Sequence, residues 1–547
     1  MDKFRQMLKE ERFPLVMSLP RNDPALARAA WENGADVVKI HINVKHHASQ
    51  TLFGSFEEER GAIEAMLAEA KGPMGIVLGA DCCAAERSLP QAVAYGFDFL
   101  SLYGHHASPS GCMAALAAAR MGAKVLLIEK GAYPGGMNTS AMVCPLMTFH
   151  SGSKQIVKGI AQEVIDRLAE KGATLGHIPD PLGVTSTITP IEPSILRLVY
   201  FEMLAQQPNI TLLLHSFLCG ADVENGEVTR VTVVGKSGSA SYQAKRFIDA
   251  TGDGDLAAMC HVSFEKGRAS DGLTQPMSIM FKVGGVALDE VVAYMRKNPE
   301  QFILHKDYDD LEKYLAVSGF FDIVKMAKER GDFTIPRDRV LFFQGLHPGE
   351  VFINTSRIIK LSGLSAQDQT MAEAEAARQV EELMSFFRNY LPGFQSCFLA
   401  SMADVTGVRE SRRIHGHYTL TVEDVYEERT SKEGVAICAF PIDIHDPAGE
   451  DLQWVRRKQD FCYDIPYGVM LPKRFSNLLV TGRCISATHE ALASARISAT
   501  AMALGQAAGA AAVLSLSHKT GFDQLDVSLL QEELRRQGAI PTKADLL

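Results

Sequence analysis

The chain lacks the features that a thiol-based or metal-based redox enzyme needs. Its ten cysteines are scattered over 547 residues, with no CxxC pair and no spacing typical of an iron–sulfur cluster. This absence argues against a disulfide reductase and an iron–sulfur relay, and it is typical of reduced thiols in the cytosol. The sequence also contains no HExxH, no GxSxG and no cysteine–histidine spacing for a metal, so we expect no metal site.

Excess basic charge and a long unbroken apolar run are missing as well. The 55 Lys and Arg residues are outnumbered by 65 Asp and Glu, which gives a formal net charge of −10 and argues against a nucleic-acid or anionic-membrane partner. Residues 1–6 form a polar start without the apolar run of a signal peptide, so we expect a cytoplasmic protein. The stretch 499–516 approaches the length of a membrane span, but Gln506 and its Ala and Gly content favour a buried packing helix.

Segment 108–130 is the first of two stretches that look like halves of one dinucleotide site. A small-residue helix at 113–120 leads through Gly122 into an apolar strand at 124–128, with Glu129 at its end. A dinucleotide-binding unit has three glycines at the turn before such a helix, and an acidic residue about 20 positions later binds the ribose. Taken alone, the segment fits an ordinary strand–helix–strand element with no ligand equally well.

The glycine positions of this turn are only partly kept. Gly111 fits the third glycine and Glu129 the acidic residue, whereas His106 and Ser108 stand at the first and second positions. A side chain at either place obstructs the close approach of a pyrophosphate to the backbone and disfavours positive φ angles. The N-terminus of the helix still offers free N–H groups and the positive end of a dipole. We therefore expect this junction to be the weak point of the cofactor site.

Later segments indicate the same kind of site. Gly135 and Gly136 allow the backbone to lie against a ligand, and 247–255 and 478–483 are strands that leave a sheet through a glycine turn. The helix expected at 497–516 has Ala and Gly on most faces and suits close packing. Each motif is weak by itself, but their order along the chain is specific.

In this order the motifs resemble those of FAD-dependent oxidoreductases of the glutathione-reductase-like flavoprotein superfamily, from about Ser108 to the C-terminus. The resemblance includes the segments 264–267, 272–276, 408–414, 464–468 and 482–489. It implies an α/β fold with a Rossmann-like three-layer domain that binds FAD. By this resemblance, the residues expected around FAD are Gly111, Glu129, Lys130, Gly135, Gly136, Asp249, Gly252, Asp253, Gly482 and Arg483. Ser108, Thr139 and Ala499 are also expected to contact FAD.

Residues 1–105 alternate between strands and helices. Strands are expected at 13–19, 36–43, 74–80 and 97–103, with helices at 24–33, 56–70 and 90–95. This parallel α/β pattern resembles the first half of a TIM barrel, a partial (βα)4 segment, whereas a closed barrel needs eight strands. His41, Asp81 and His105 follow strands, where a barrel has its active face. A third and weaker interpretation is a barrel-type lyase or aldolase site that uses Lys39 or these histidines with strands from a partner chain.

The strand expected at 97–103 either closes the half-barrel or serves as the central first strand of the flavin-binding sheet. We favour the second, because a gap at the centre of a sheet would leave backbone groups without hydrogen bonds. The expected flavin domain is discontinuous, comprising 106–264 and 474–547. Between its parts, 265–473 is expected to form an inserted α+β substrate domain. A helix is expected at 154–171, and a strand at 435–443.

The residues around the late helix are candidates for chemistry. The N-terminus of a helix beginning near 497 would face the flavin and stabilise its anionic reduced form. His489 suits an acid or base beside the flavin, or a hydrogen-bonded structural histidine, since its ordinary pKa is about 6.5. Arg496 lies directly before the helix. Tyr463 and Tyr467 are either lid residues or packing aromatics.

A basic cluster offers a second set of candidates. Its members are Arg409, Arg412, Arg413, His415 and His417. Such donors suit a carboxylate or polyol substrate. The alternative is a solvated charged face, or salt bridges to Glu410 and Asp404.

The sequence therefore predicts an FAD-dependent oxidoreductase that transfers hydride between flavin and a small polar substrate, with His489, Arg409 and Arg496 as candidate catalytic residues. No second complete GxGxxG is present, so a built-in pyridine-nucleotide domain is not expected. A homo-oligomer is compatible with the sequence. The alternative is a protein that keeps the fold but no longer binds FAD and has no redox activity.

Overall fold

The structure is a computed structural model that describes most of the chain after residue 107. The described residues are 16–33, 35, 37–42, 45–46, 51–52, 59, 62, 65–66, 74–78, 101–103, 108–305, 310–449, 452–454, 458 and 460–546. The chain divides into two compact units, Met1–Ala94 with Ser237–Ser241, and Tyr95–Lys236 with Tyr242–Leu547.

The first unit contains a parallel sheet. Its strands are Val16–Ser18, Val37–Ile42 and Met74–Leu78, in that order. The helix Pro24–Glu32 follows the first strand, and Asp23 caps it by accepting a 2.8 Å hydrogen bond from the Ala25 N–H. The short strands Lys45–His46 and Thr51–Leu52 pair antiparallel. The strand–helix alternation expected here is confirmed for these elements.

Other expectations for the N-terminal segment lie outside the described residues. They concern most of the helix expected at 56–70, of which residues 59, 62, 65 and 66 are described and helical, the helix expected at 90–95, Asp81 and His105, and the side chains of Lys39 and His41. The closure or opening of a half-barrel therefore stays a prediction.

The second unit is built on a five-stranded parallel sheet. Its strands, in spatial order, are Ile210–Leu213, Val125–Ile128, Ser101–Tyr103, Phe247–Asp249 and Leu478–Val480. The strand Ser101–Tyr103 lies at the centre and pairs on both sides, as the sequence predicts for the fourth N-terminal strand. The division between the two compact units falls between Ala94 and Tyr95, before this strand.

Two buried helices pack against each other beside this sheet. Pro109–Arg120 and Ser498–Ser517 are both rich in alanine, and nearly every residue of the first is buried. A Cβ added at Gly505 would lie 2.1 Å from the Ser110 carbonyl oxygen, and one at Gly509 would lie 2.2 Å from the Ala114 carbonyl oxygen. The glycines therefore let the two backbones touch.

Helix Ser498–Ser517 is long and apolar enough to cross a membrane, but 78% of its apolar window is buried within the protein. This burial agrees with the buried packing helix that Gln506 and the small residues predict. The Gln506 side chain accepts a 3.0 Å hydrogen bond from the Ile160 N–H, so even its one large polar group has a partner.

A second five-stranded sheet, antiparallel, lies within the segment expected to form the substrate domain. Its strands, in spatial order, are Ala316–Gly319, Val340–Gln344, Val351–Ile353, Phe281–Gly284 and Phe398–Met402. The long helix Ala366–Tyr390 begins at the capping residue Ser365, whose hydroxyl accepts from the Asp368 N–H.

The remaining elements of the second unit complete these layers. Its other helices are Ile160–Glu170, Pro193–Ala205, Asp255–Met259, Leu288–Lys297, Phe321–Arg330, Val422–Tyr426, His489–Ala495 and Val527–Arg536. The 3-10 turns are Gly136–Asn138, Pro299–Gln301, Tyr467–Met470, Phe522–Gln524 and Lys543–Leu546. The other strands are Leu146–Met147, His150–Ser151, Lys154–Gln155, Ile178–Pro179, Thr187–Thr189, Ser216–Glu224, Glu227–Gly235, Phe264–Lys266, Arg412–Ile414, Gly434–Cys438, Asp443–His445, Leu452–Trp454 and Tyr463–Pro466. The strand Gly238–Gln243 begins in the segment Ser237–Ser241, which is assigned to the first unit.

Two elements differ from the sequence prediction for local reasons. The helix expected at 154–171 begins only at Ile160, because Gly159 before it has a φ of 65° that no helix contains. The single strand expected at 435–443 is two strands, Gly434–Cys438 and Asp443–His445. Pro441 lies between them and has no N–H to continue a ladder.

Candidate cofactor site and substrate cavity

A cavity of about 380 Å³ opens beside the N-termini of the two packed helices. Ser108 and Pro109 line it at the start of the first helix, and Ile497 and Ser498 line it at the start of the second. Both helix dipoles therefore direct their positive ends at one space, which suits a ligand with negative charge at two places.

Ser108 caps the first helix and needs no glycine-like backbone. Its φ is −53°, and its hydroxyl accepts a 3.1 Å hydrogen bond from the Ser110 N–H. The positive φ that would favour glycine at this position is therefore absent, because any residue can adopt a φ of −53°. The side chain of His106 lies outside the described residues.

Two glycines after neighbouring strands face this helix start. Gly482 has a φ of 89°, and a Cβ there would lie 3.1 Å from the Ser110 hydroxyl oxygen. Gly252 has a φ of 75°, and a Cβ there would lie 2.5 Å from Nη1 of Arg483. The glycine turns predicted after both strands are thus confirmed, and each is required by backbone angle and by space.

A buried ion pair lies at the same end of the cavity. Arg483 Nη2 is 2.5 Å from Asp253 Oδ1, and the two side chains are 9% and 5% exposed. Arg483 Nε is buried without a hydrogen-bond partner in the part of the chain that the structure describes. Burial lowers the pKa of Lys130 nearby, although Asp253 and Glu129 oppose the shift. Arg483, which lines the cavity, thus has one N–H donor, at Nε, without a partner among the described residues.

The acidic residues expected to hold FAD have different surroundings. Glu129 is fully buried after the strand Val125–Ile128, and its carboxylate accepts from the Gly131 N–H. Asp249 accepts from the Thr251 N–H at 3.0 Å and the Ala257 N–H at 2.9 Å, so both its oxygens hold the turn that follows its strand. Burial raises the pKa of Asp249 to about 6.

The glycine pair after Glu129 shapes the loop beside the cavity. Gly135 and Gly136 have φ angles of 108° and 57°, and a Cβ at Gly135 would lie 2.6 Å from Cγ2 of Thr139. Thr139 is fully buried and donates a 3.0 Å hydrogen bond to the Pro134 carbonyl. The turn between these residues brings Met137 to the cavity wall.

The second helix presents its start without a side-chain cap. Its N-cap residue Ile497 makes no capping hydrogen bond, and Ser498 and Ala501 line the cavity. Ala499 is fully buried and does not line it. The backbone N–H groups of the first turn are thus available to a ligand, as the sequence predicts for the pyrimidine end of a flavin.

Arginine side chains form another wall of the cavity. Arg337 is 4% exposed, and burial together with Arg357 and Arg339 lowers its pKa to about 10. Arg409 donates to the Pro276 carbonyl at 2.7 Å, and burial and the charge of Arg496 lower its pKa. Within the described residues, neither Arg337 nor Arg409 has a carboxylate within ion-pair distance.

An aspartate and a histidine stand beside these arginines. Asp443 Oδ2 lies 3.2 Å from Nε2 of His445 and 3.8 Å from Nη2 of Arg496. Burial opposes ionisation of Asp443, but His445, Arg496 and Arg409 hold the pKa of its carboxyl below the usual range. Burial lowers the pKa of His445 to about 3, and the charges of Arg409 and Arg337 act in the same direction. Asp443 opposes this shift. The ring is therefore neutral at pH 7.

Apolar side chains complete the cavity. They include Met137, Met147, Met280, Leu341, Phe343 and Phe440. The lining thus combines a mostly apolar body with a few convergent charged groups, which is the usual construction of a small-molecule site. A dinucleotide fits this site if its phosphates lie at the start of the first helix. The features that fit it are the two helix N-termini, the two glycine turns and the Arg483 Nε that has no partner among the described residues.

A sequence model of the family described as FAD dependent oxidoreductase matches residues 106–534. The chain belongs to this family. FAD is therefore its cofactor, and the protein is a flavin-dependent oxidoreductase. The match begins after the central strand Ser101–Tyr103, which the sheet nevertheless contains. The alternative of a degenerate protein without redox activity is not favoured.

Solved structures that align with this flavoenzyme share little sequence with it. The p-nitrophenol 4-monooxygenase PnpA from Pseudomonas putida DLL-E4 is 12% identical, with 80% of this chain and 83% of that chain covered and a TM-score of 0.39. A geranylgeranyl bacteriochlorophyll reductase-like protein from Thermoplasma acidophilum is 14% identical, with coverages of 80% and 82% and a TM-score of 0.36. These similarities carry no argument about the substrate. The comparison with curated proteins gives no match.

The structure brings two of the three candidate catalytic residues of this flavoenzyme to the cavity. Arg409 and Arg496 line it, whereas His489 does not. His489 is 6% exposed, and its Nδ1 lies 2.9 Å from Oε1 of Glu410. This contact supports the structural alternative for His489, and its role beside the flavin stays a prediction.

The expected basic cluster is divided among several environments. Arg413 is buried and pairs with Glu410, while Arg412 pairs with Asp255 at 2.8 Å. His415 contacts Glu265 at 3.4 Å, and His417 is exposed. Salt bridges thus account for several members, although Asp404, one of the partners expected from the sequence, pairs instead with Arg197. Arg409 alone of the cluster lines the cavity.

The two candidate lid tyrosines are packing residues. Tyr463 is fully buried with its hydroxyl 2.7 Å from the Ser494 hydroxyl, and Tyr467 is 2% exposed. The lid interpretation is therefore wrong, and aromatic packing is confirmed.

Sequence reasoning missed four cavity residues that carry charge or titrate, namely Arg337, Arg339, Asp443 and His445. They come from two segments about a hundred positions apart, and neither segment contains a known motif. The sequence offered only local patterns that could have pointed to these residues. Two arginines flank Asp338 just before a strand, and an aspartate and a histidine two positions apart lie on one face of another strand.

One group of side chains has the composition of a metal site. Ligand atoms of Glu192, His347 and Glu350 lie within 4.8 Å of one another. Lys282 Nζ, however, is 2.7 Å from Glu192 and 3.2 Å from Glu350. The ammonium group already supplies the positive charge that these carboxylates need, so we assign no metal there.

Proposed function

We propose that this flavoenzyme oxidises or reduces a small organic acid by hydride transfer, and that Arg337, Arg409 and Arg496 bind the carboxylate groups of the substrate. The observation that carries the proposal is the unbalanced charge of the cavity wall. Five arginines line the cavity. Arg339 and Arg483 pair with Asp338 and Asp253, whereas the other three guanidinium groups share one carboxylate, Asp443, which lies 3.8 Å from Arg496. A substrate with two negative charges would balance the wall.

The energetic argument concerns burial. A charge without a partner in a buried site costs several kcal/mol, on the order of the penalty for removing one member of a buried ion pair. Arg337 is 4% exposed and has no carboxylate partner within the described residues. Such groups are concentrated at functional sites, where a ligand supplies the missing counter-charge.

The arginines, the apolar lining and the start of the second helix would each have a separate role beside FAD. FAD supplies the hydride acceptor or donor when bound. Guanidinium groups bind carboxylates through two parallel hydrogen bonds, which fixes the orientation of the substrate as well as its position. Apolar residues such as Met280 and Phe343 exclude water from the reacting carbon. The start of helix Ser498–Ser517 stabilises negative charge that develops near it.

Anaerobic reduction of the bound flavin tests this proposal. Small hydroxy acids and dicarboxylic acids should bleach the flavin absorbance, and the corresponding amides should react at least about 100-fold more slowly, because they lose charge-assisted hydrogen bonds of about 1.5–3 kcal/mol each. A neutral polyol or amide that reduces the flavin as fast as the acid would contradict the proposal.

A further inference from the structure

The Asp443–His445 pair has the geometry of an oriented base. His445 lines the cavity, and its Nε2 lies 3.2 Å from Asp443 Oδ2. Its Nδ1 is buried without a hydrogen-bond partner in the part of the chain that the structure describes. If the carboxylate accepts from Nε2–H, the tautomer is fixed and Nδ1 keeps a free lone pair.

Charged groups from several elements face this ring. Asp443 is on the same strand, Arg337 precedes the strand Val340–Gln344, and Arg409 lies before the strand Arg412–Ile414. Arg496 follows the helix His489–Ala495 and faces Asp443. The arginines repel a proton on the ring, and Asp443 attracts one, so the protonation of His445 depends on whether the arginines are neutralised.

We propose that His445 is the proton acceptor of this site. A bound carboxylate makes the ring more basic by neutralising the arginines beside it. The inference rests on the proposed function and names its substrates as hydroxy acids. In the oxidative direction the carbinol C–H bond breaks and its electron pair leaves as hydride to FAD. The hydroxyl O–H bond breaks, its proton goes to Nδ1 of His445, and a C=O bond forms.

The coupling has a definite sign. Without ligand, the pKa of His445 is about 3, so near neutral pH the ring is uncharged and carries a single N–H proton. A bound carboxylate raises this pKa towards the ordinary value of about 6.5, so ligand binding takes up a proton below the raised pKa. Affinity therefore increases as pH falls through that value, by up to about tenfold per pH unit, and is constant above it.

Oxalate is a suitable probe for the holoenzyme, because it has two carboxylates and no C–H bond to lose as hydride. Titration calorimetry in buffers of different ionisation enthalpy measures proton uptake, and repetition between about pH 6 and pH 8 measures the pH dependence of Kd. We expect net proton uptake near pH 6 and tighter binding at lower pH. This measurement on the unaltered protein does not depend on any variant.

His445→Gln should bind oxalate within about threefold of the parent near pH 8, with proton uptake abolished and turnover lowered about 100-fold or more. His417→Gln, at an exposed histidine, is the matched control and should behave like the parent. Binding without proton uptake, or uptake that persists in His445→Gln, would overturn the inference and leave the proposed function standing. No binding of oxalate at any pH would overturn both.

Discussion

The Arg337 guanidinium is buried beside other arginines. It is 4% exposed, and Arg357 and Arg339 repel it. Arg337→Met keeps an unbranched apolar stem and removes the guanidinium group with its repulsion. We expect the free energy of unfolding to stay constant or rise by up to about 2 kcal/mol. Oxalate affinity should fall about 10- to 100-fold, because one charge-assisted hydrogen-bonding group is lost.

Thermal unfolding and calorimetry with oxalate separate these two effects. Arg296→Met is the control, since Arg296 is a surface residue paired with Glu312 and its side chain is 60% exposed. It should leave both properties near their parent values. A large loss of stability in Arg337→Met, with oxalate affinity unchanged, would show that the arginine serves the fold and not a ligand.

Glu129 is the residue on which the orientation of FAD is expected to depend. It is fully buried after the strand Val125–Ile128, where the ribose of a dinucleotide would lie. Glu129→Ala should weaken FAD binding by about 1–3 kcal/mol through a lost charge-assisted hydrogen bond. Glu129→Gln, which keeps one acceptor oxygen, should lose less. Fluorescence titration of the apoprotein measures both, and equal affinity of all three proteins would remove the assignment.

At the scale of elements, the contact between the two buried helices positions both ends of the cofactor site. A Cβ at Gly505 would lie 2.1 Å from the Ser110 carbonyl oxygen, so Gly505→Ala forces the helices apart. We expect a loss of about 3 kcal/mol of stability and a lower flavin content, although alanine has the higher helix propensity.

Ala503 provides the matched comparison in the same helix. It is half-buried, and Ala503→Gly should cost about 1 kcal/mol from helix propensity alone, with flavin content kept. Thermal melts and flavin absorbance of the two variants measure the difference. Equal stability of Gly505→Ala and the parent would mean that the helices tolerate a wider separation.

The elements that the sequence predicts well are those with local causes. The helix Pro109–Arg120, the strand Val125–Ile128 and the turns at Gly252 and Gly482 follow from small-residue patterning and from positive φ angles that favour glycine. At position 108 the φ is −53°, so the backbone needs no glycine there, whereas obstruction of a pyrophosphate by the Ser108 side chain stays a prediction.

The substrate wall could not be predicted, because it depends on tertiary contacts. Arg337 precedes the strand Val340–Gln344, His445 ends the strand Asp443–His445, and the two meet only when the substrate segment folds. His489 was a reasonable candidate by its place in the sequence, but its helix directs Nδ1 to Glu410. Distant residues of ordinary type leave no periodic or spacing signal in a single sequence.

At the scale of the molecule, the flavin-binding sheet requires a strand that precedes the family match. Ser101–Tyr103 pairs with two neighbours at the centre of the sheet, and the match begins at residue 106. A chain that starts at Tyr95 should fold and bind FAD. One that starts at Ser108 should not, because the two neighbouring strands lose their backbone partners.

Flavin content and cooperative thermal unfolding of the two truncated chains test this requirement. The full chain is the reference for both. FAD bound by the chain starting at Ser108 as tightly as by the full chain would show that the central strand is dispensable.

The visible absorption spectrum of the purified protein during titration with oxalate tests the central claim most directly. The account predicts oxidised-flavin bands that correspond to about one FAD per chain, and a saturable shift of those bands as oxalate fills the arginine-lined cavity beside the flavin. A purified protein without flavin bands, or flavin bands that oxalate leaves unchanged at every concentration, would contradict it.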